Sequence, residues 1–146
     1  MAEADTSKGL QRLPRVIAAM PFSASMGMEF VEGGEGWVRL RLPFKKENTT
    51  TGDALHGGAI ASLIDTTGSM AAWTTSELGN PRYFGSTVGI TVNYLSGVLA
   101  QDCVAEGRVL KRGKEIIYSD VRVTNADGKI CAQGTVIYRI VDRGEG

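Results

Sequence analysis

Leu55-His56-Gly57-Gly58-Ala59-Ile60-Ala61-Ser62-Leu63-Ile64-Asp65 leads from a polar loop into the longest helical pattern of the chain. The preceding residues 48–53 read NTTTGD and form a loop by composition. The helical pattern runs over roughly residues 58–78, with Ile60, Leu63, Ile64, Thr67, Ala71 and Leu78 as its apolar stripe. The other side is small: Gly58, Ala61, Ser62, Gly68, Ser69 and Ala72. Small residues let another backbone come close, so a strand or second helix is expected to press there. A weakly packed surface face would carry more Lys and Glu.

Working outward, residues 1 to about 8 are polar and expected to fray. Leu10, Leu13, Val16, Ile17 and Met20 recur at helical spacing, with Pro14 expected in a first turn or at a break. Residues 28–42 alternate: Val38, Leu40 and Leu42 point one way, Trp37, Arg39 and Arg41 the other, with a turn expected at Gly33-Gly34. Beyond Asn80-Pro81, residues 87–95, 102–110, 115–125 and 129–141 are rich in Val, Ile, Thr and Tyr and read as strands. Short turns at 111–114 and 125–128 join them into an expected four-strand meander. The pattern predicts an α+β fold, one helix against about five antiparallel strands. No repeat or linker divides residues 1–146, so one domain is expected, with 1–25 as a partly helical lead-in.

The 16 Lys and Arg balance the 16 Asp and Glu, which argues against a nucleic-acid partner. Cys103 and Cys131 both fall in strand segments and are expected as buried thiols, too few for a disulfide framework. No apolar run is long enough to span a membrane, and the N-terminus lacks a signal-like apolar stretch. A cytoplasmic protein with no membrane partner is expected.

The chain has one histidine, and several chemistries fall away with that fact. Zinc needs three or four ligands, and one His with two separated cysteines offers no such cluster. The G-x-S-x-G elbow, the G-x-G-x-x-G fingerprint and the P-loop are missing. What remains is His56-Gly57-Gly58 at a helix start, where free N–H groups and the dipole suit an oxyanion. A simple turn with His56 as its cap accounts for the same residues. Asp65 sits mid-helix on the small-residue side, where a covered carboxylate needs a function or a partner. An exposed, solvated Asp is the alternative. His56 and Asp65 lie about 13.5 Å apart along a helix axis at 1.5 Å per residue, so joint action requires two chains.

The helix-start segment resembles the L-H-G-G-x(6)-D motif of the phenylacetate-type (PaaI-like) hotdog thioesterases. Residues 87–95 (TVGITVNYL) resemble that family's strand after the helix, and Val109-Leu110-Lys111-Arg112-Gly113-Lys114 its next hairpin. The likeness extends over roughly residues 44–138. It implies a long helix wrapped by a curved antiparallel sheet of five to six strands, paired into a homodimer or a homotetramer built as a dimer of dimers. It also implies hydrolysis of an acyl-CoA substrate with neither metal nor cofactor. By this resemblance the Gly57 N–H polarises the thioester carbonyl, and Asp65 of the facing subunit is general base or nucleophile. His56 positions the substrate and Thr87 supports the water. Gly58 joins the substrate-binding residues, and Lys111, Arg112 and Lys114 are candidates for the CoA phosphates, a solvated hairpin tip being the alternative. The family's Asn six residues before His and Gly three before are replaced here by Thr50 and Asp53, with Gly52 displaced by one. Asn48 takes the Asn role if the loop is longer by two. A thioester hydratase or dehydratase and a non-enzymatic acyl-CoA-binding module are the competing readings.

Overall fold

The computed structural model describes residues 6–144. Two helices, α1 (Thr6–Ala19) and α2 (Pro21–Met26), precede the strand pair β1 (Glu29–Gly34) and β2 (Trp37–Leu42). A short 3-10 turn (Lys46–Asn48) leads to α3 (Gly57–Trp73), followed by β3 (Tyr83–Tyr94), β4 (Cys103–Arg112), β5 (Ile116–Asn125) and β6 (Ile130–Asp142). The six strands form one antiparallel sheet in the order β1-β2-β4-β5-β6-β3. With α3 packed on that curved sheet, this is the expected α+β hotdog architecture.

Binary pattern explains the core. Val38, Leu40 and Leu42 of β2 are buried, while Trp37, Arg39 and Arg41 face outward. Ile60, Leu63, Ile64, Thr67 and Ala71 of α3 meet the sheet, and α1 contributes Leu13 and Ile17. The close approach expected on the small-residue side occurs at Gly68, where a Cβ would lie 2.5 Å from Val136 of β6.

Several expectations need correction. The last four strands are not a meander, because β3 pairs with β6 at the far edge and β4 pairs with β2. The connection after β3 buries Val98 and hydrogen-bonds to residues 53–55, carrying the chain across to the sheet's middle. Helix α3 stops at Trp73, short of the expected residue 78, since the Thr74 and Thr75 hydroxyls donate to the Ala71 and Ala72 carbonyls. Thr74 Oγ1 also accepts the Gly36 N–H at 2.8 Å, tying the helix end to the first hairpin. That hairpin turns at Glu35-Gly36 rather than Gly33-Gly34, with Gly36 at φ +83°. Pro14 lies inside α1, where burial of Leu13 and Ile17 beside it holds the helix. Residues 6–8 belong to that helix, and the expected fraying of 1–5 lies outside the described residues.

Candidate active site

The site is organised by the two ends of α3's path along β3. At the start, His56 is the N-cap: its backbone is extended and its Nδ1 accepts the Gly58 N–H at 2.7 Å. The Ala59 and Ile60 N–H groups both turn to the His56 carbonyl, at 2.9 and 3.2 Å. Among the first four helix N–H groups, only that of Gly57 has no acceptor among the described residues. The cap role expected as an alternative for His56 is therefore real, and it leaves one donor open at the positive end of the helix. An Nδ1 that accepts places the ring proton of neutral His56 on Nε2, where it can only donate.

Tyr94, at the end of β3, braces this turn. Its hydroxyl donates to the Gly57 carbonyl at 2.7 Å, and a Cβ on Gly57 would sit 3.4 Å from its ring. Neither Gly57 nor Gly58 has a positive φ, so no left-handed turn requires them. Asn48 holds the loop from below: its side-chain amide donates to the Met26 carbonyl at 3.0 Å and its own carbonyl accepts the His56 N–H at 2.8 Å.

Asp65 lies two turns along α3 and is half-buried. Its Oδ1 accepts the Thr87 hydroxyl at 2.7 Å, and Oδ2 has no partner among the described residues. Ser69, one turn on, donates to the Asp65 carbonyl at 2.7 Å and stands 3.5 Å from both Asp65 Oδ1 and Thr87 Oγ1. Burial pushes the Tyr138 hydroxyl above its usual range; the Trp73 N–H opposes this, and the Asp65 carboxylate adds to the rise. Tyr138 is thus within the electrostatic reach of Asp65.

Sequence reasoning placed Asp65 and Thr87 in one site, and they meet within one chain. It did not single out Ser69 or Tyr94, although Ser69 at i+4 from Asp65 was a detectable signal. The three hairpin cations do not form one cluster. Lys111 is in register with exposed Tyr118 on one face of the sheet, and Arg112 with buried Ile117 on the other. Arg112 donates to the Lys114 carbonyl at 3.1 Å, and Arg112 and Lys114 line a groove with Tyr83, Glu115 and Asp142. The row Thr87–Tyr138–Ile117–Arg112 crosses four strands, placing Arg112 about 14 Å from Thr87 at the usual strand spacing. Among the described residues no three His, Cys, Asp or Glu side chains gather as metal ligands, and no helix is long and apolar enough to cross a membrane.

The thioesterase superfamily model matches residues 52–132, which contain α3, its N-terminal turn and Thr87. The chain belongs to the thioesterase superfamily. Human acyl-coenzyme A thioesterase 13 is 36% identical over 131 residues, covering 85% of this chain and 91% of that one. Among solved structures, a Haemophilus influenzae thioesterase superposes with a TM-score of 0.82 at 20% identity, over 93% of this chain and 92% of its own. The Escherichia coli PaaI protein of the phenylacetic acid degradation operon gives 0.81 at 17% identity, over 93% and 95%. The fold is therefore that of the hotdog thioesterases, and the protein is a thioester hydrolase.

Proposed function

We propose that this superfamily member hydrolyses acyl-CoA to free acid and CoA, with Gly57 and Asp65 acting together from two copies of the chain. The observation that carries this is the Gly57 N–H, the one helix-start donor of α3 without an acceptor among the described residues. A thioester oxygen bound there gains negative charge as water or a carboxylate attacks its carbon. One such donor contributes about 3 kcal/mol in the transition state. Asp65 supplies the other half, as general base or nucleophile. Thr87 holds Oδ1 and leaves Oδ2 to take the proton of the attacking water or to attack the carbon itself. As general base, Asp65 returns the water's proton to sulfur as the C–S bond breaks, giving free acid and CoA thiol. As nucleophile, it keeps the acyl group as a mixed anhydride when the thiol leaves, and water then cleaves that anhydride to free acid and restores the carboxylate.

Gly57 and Asp65 lie about 12 Å apart along one helix, too far to share a reacting carbon. The edge strand β3 offers a second copy its place. Among the described residues it pairs only with β6, and it exposes Phe84, Val88 and Ile90 along its length. Antiparallel pairing of two β3 edges about an axis near Ile90 and Thr91 sets Thr87 of one copy opposite Tyr94 of the other. Asp65 with Thr87 would then face Gly57 with Tyr94 across the interface. A homodimer, or a dimer of such dimers, follows. The human relative's name, acyl-coenzyme A thioesterase, agrees with CoA esters as the substrate class.

A hydratase would need His56 to exchange a proton with the acyl chain. The Gly58 N–H on Nδ1 leaves that ring only a donor, which counts against it. Release of free thiol from octanoyl-CoA, followed with a thiol reagent, tests the proposal. Hydration of an enoyl-CoA without thiol release, or binding with no turnover, would reject it.

A further inference from the structure

Strand β3 runs back along α3: Gly85 lies over Trp73 at the helix end, Thr87 bonds Asp65, and Tyr94 bonds Gly57 at the helix start. Gly85 and Thr87 are two residues apart and face the helix together, in register with Ile140 and Tyr138 of β6. Beneath Gly85, Trp73 donates its indole N–H to the Tyr138 hydroxyl at 3.0 Å. The two rings meet edge to face, with centroids 6.3 Å apart, and both side chains are buried. A Cβ on Gly85 would lie 2.6 Å from Tyr138 and 2.7 Å from Trp73, against the roughly 3.5 Å at which carbon atoms rest. Gly85 has no positive φ, so close approach and not backbone conformation calls for glycine there.

Glycines also draw α3 onto the middle of the sheet, Gly107 of β4 against Thr67 and Gly134 of β6 against Ile64. Those contacts hold the helix on inner strands. At β3 the glycine rests instead on two rings bonded to each other, one at the end of α3 and one within β6. Neither ring is free to turn aside, whereas β3 ends the chain's sheet, so the strand is the part that yields to any crowding there. The height of β3 above α3 matters two residues later. The Thr87 hydroxyl reaches Asp65 Oδ1 at 2.7 Å, and such bonds span only about 2.5–3.0 Å, so a small lift of the strand breaks it.

We propose that Trp73, Tyr138 and Gly85 are positioning residues for the carboxylate. The bonded aromatic pair is a spacer that sets the gap between α3 and β3, and Gly85 is the point at which the strand rests on it. At that gap Thr87 holds Oδ1 of Asp65 and leaves Oδ2 to act. The inference rests on the thioesterase reading of Asp65 above. Tyr138, one half of the spacer, lies beyond the residues that the superfamily model matches.

Double-mutant cycles on the full-length protein test it. Thr87→Val and Asp65→Ala, followed by urea unfolding at one protein concentration, should couple by at least about tenfold in the folding constant, as a hydrogen bond to a charged group does. In a Gly85→Ala background that coupling should fall to near one. With octanoyl-CoA, Gly85→Ala should lower kcat by roughly a hundredfold and leave KM little changed. In a Thr87→Val background the same replacement should cost less than about threefold, because the spacer acts through Thr87. Adding Tyr138→Leu, which removes the Tyr138 atoms that the new Cβ meets, should restore part of the lost kcat. If Gly85→Ala does not fold, Tyr138→Phe carries both cycles: it keeps the ring, cuts the bond to Trp73, and should lower the coupling and kcat severalfold. A coupling absent from the wild type, or surviving in the folded spacer variant, overturns the proposal, as does an equal loss of kcat with and without the Thr87 hydroxyl. Coupling lost in the spacer variant while the wild type cleaves no thioester keeps the spacer and rejects the hydrolytic reading.

Discussion

Thr87 donates its hydroxyl hydrogen to Asp65 Oδ1 across 2.7 Å, from a strand position that a β-bulge at Val88 re-aims. Thr87 and Tyr94 are seven residues apart, which in a regular strand sends their side chains to opposite faces. The extra residue at Val88 restores the parity. Both ends of β3 then address α3, Thr87 at Asp65 and Tyr94 at Gly57. One strand thereby positions the carboxylate and braces the helix start.

Asp65→Asn keeps the side chain's shape, and its carbonyl oxygen still accepts from Thr87. We expect thioester hydrolysis to be lost while melting temperature and affinity for a thioether analogue change little, since the charge is needed only as the transition state forms. A variant with near-wild-type kcat would make Asp65 structural.

Gly57→Ala and Tyr94→Phe separate the oxyanion donor from its brace. The Gly57 backbone is not left-handed and a Cβ would touch Tyr94 only at ordinary contact distance, so Gly57→Ala should fold normally. Its kcat/KM should fall by an amount on the order of 3 kcal/mol as the methyl crowds the approaching carbonyl. Tyr94→Phe removes one hydrogen bond and should lower kcat by roughly tenfold with KM nearly unchanged, because the donor is misaimed rather than removed. Stability lost with activity per folded molecule preserved would reduce His56-Gly57-Gly58 to a turn.

A two-chain site requires that activity follow assembly. Sedimentation equilibrium should give a dimer or tetramer. Ile90→Lys on the exposed edge of β3 should weaken it and reduce specific activity as the protein is diluted. A monomer that stays fully active at nanomolar concentration contradicts the proposed site.

The hairpin cations are predicted to act on CoA binding. Replacing Lys111, Arg112 and Lys114 together by Gln should raise KM several-fold at low salt and spare kcat, since contacts remote from the reacting carbon act on the ground state. Lys111 faces away from the other two, so its single replacement should have the smallest effect. An unchanged KM at low ionic strength returns the turn to solvent.

Burial pushes the Cys103 thiol up to about 12, with Cys131 and Asp102 adding to the rise. The thiolate is disfavoured in the folded chain, so this group supports folding below the unfolded thiol's value of about 8.5 and loses that support as pH climbs toward 12. Native protein at pH 8 should therefore resist iodoacetamide at Cys103, and stability should decline above about pH 8.5. Rapid alkylation of the native protein at pH 8 would show that the thiol is accessible.

The sequence by itself determined the helix, its apolar face and the spacing of His56, Gly57 and Asp65 within it, because helical periodicity and capping chemistry are local. It also determined that Gly57 and Asp65 are too far apart on one helix to act on one carbon, which is arithmetic on rise per residue. Strand existence was legible in runs of β-branched residues. Strand order was not: whether β3 pairs with β4 or β6 depends on where the connection carrying Val98 is buried, a contact between residues distant in sequence. The helix end at Trp73 rests on the local Thr74 and Thr75 hydroxyl bonds to the Ala71 and Ala72 carbonyls, while its tie to Gly36, in a hairpin nearly forty residues earlier, was decided by the tertiary structure. So too was Tyr94's hold on Gly57, set by the bulge at Val88 that returns Tyr94 to the face of Thr87, whereas the split of Lys111 from Arg112 is the ordinary alternation of neighbours along a strand. Local pattern fixes what each segment is; long-range pairing selects which side chains meet, because each such contact is stabilised only once the sheet has closed around the helix.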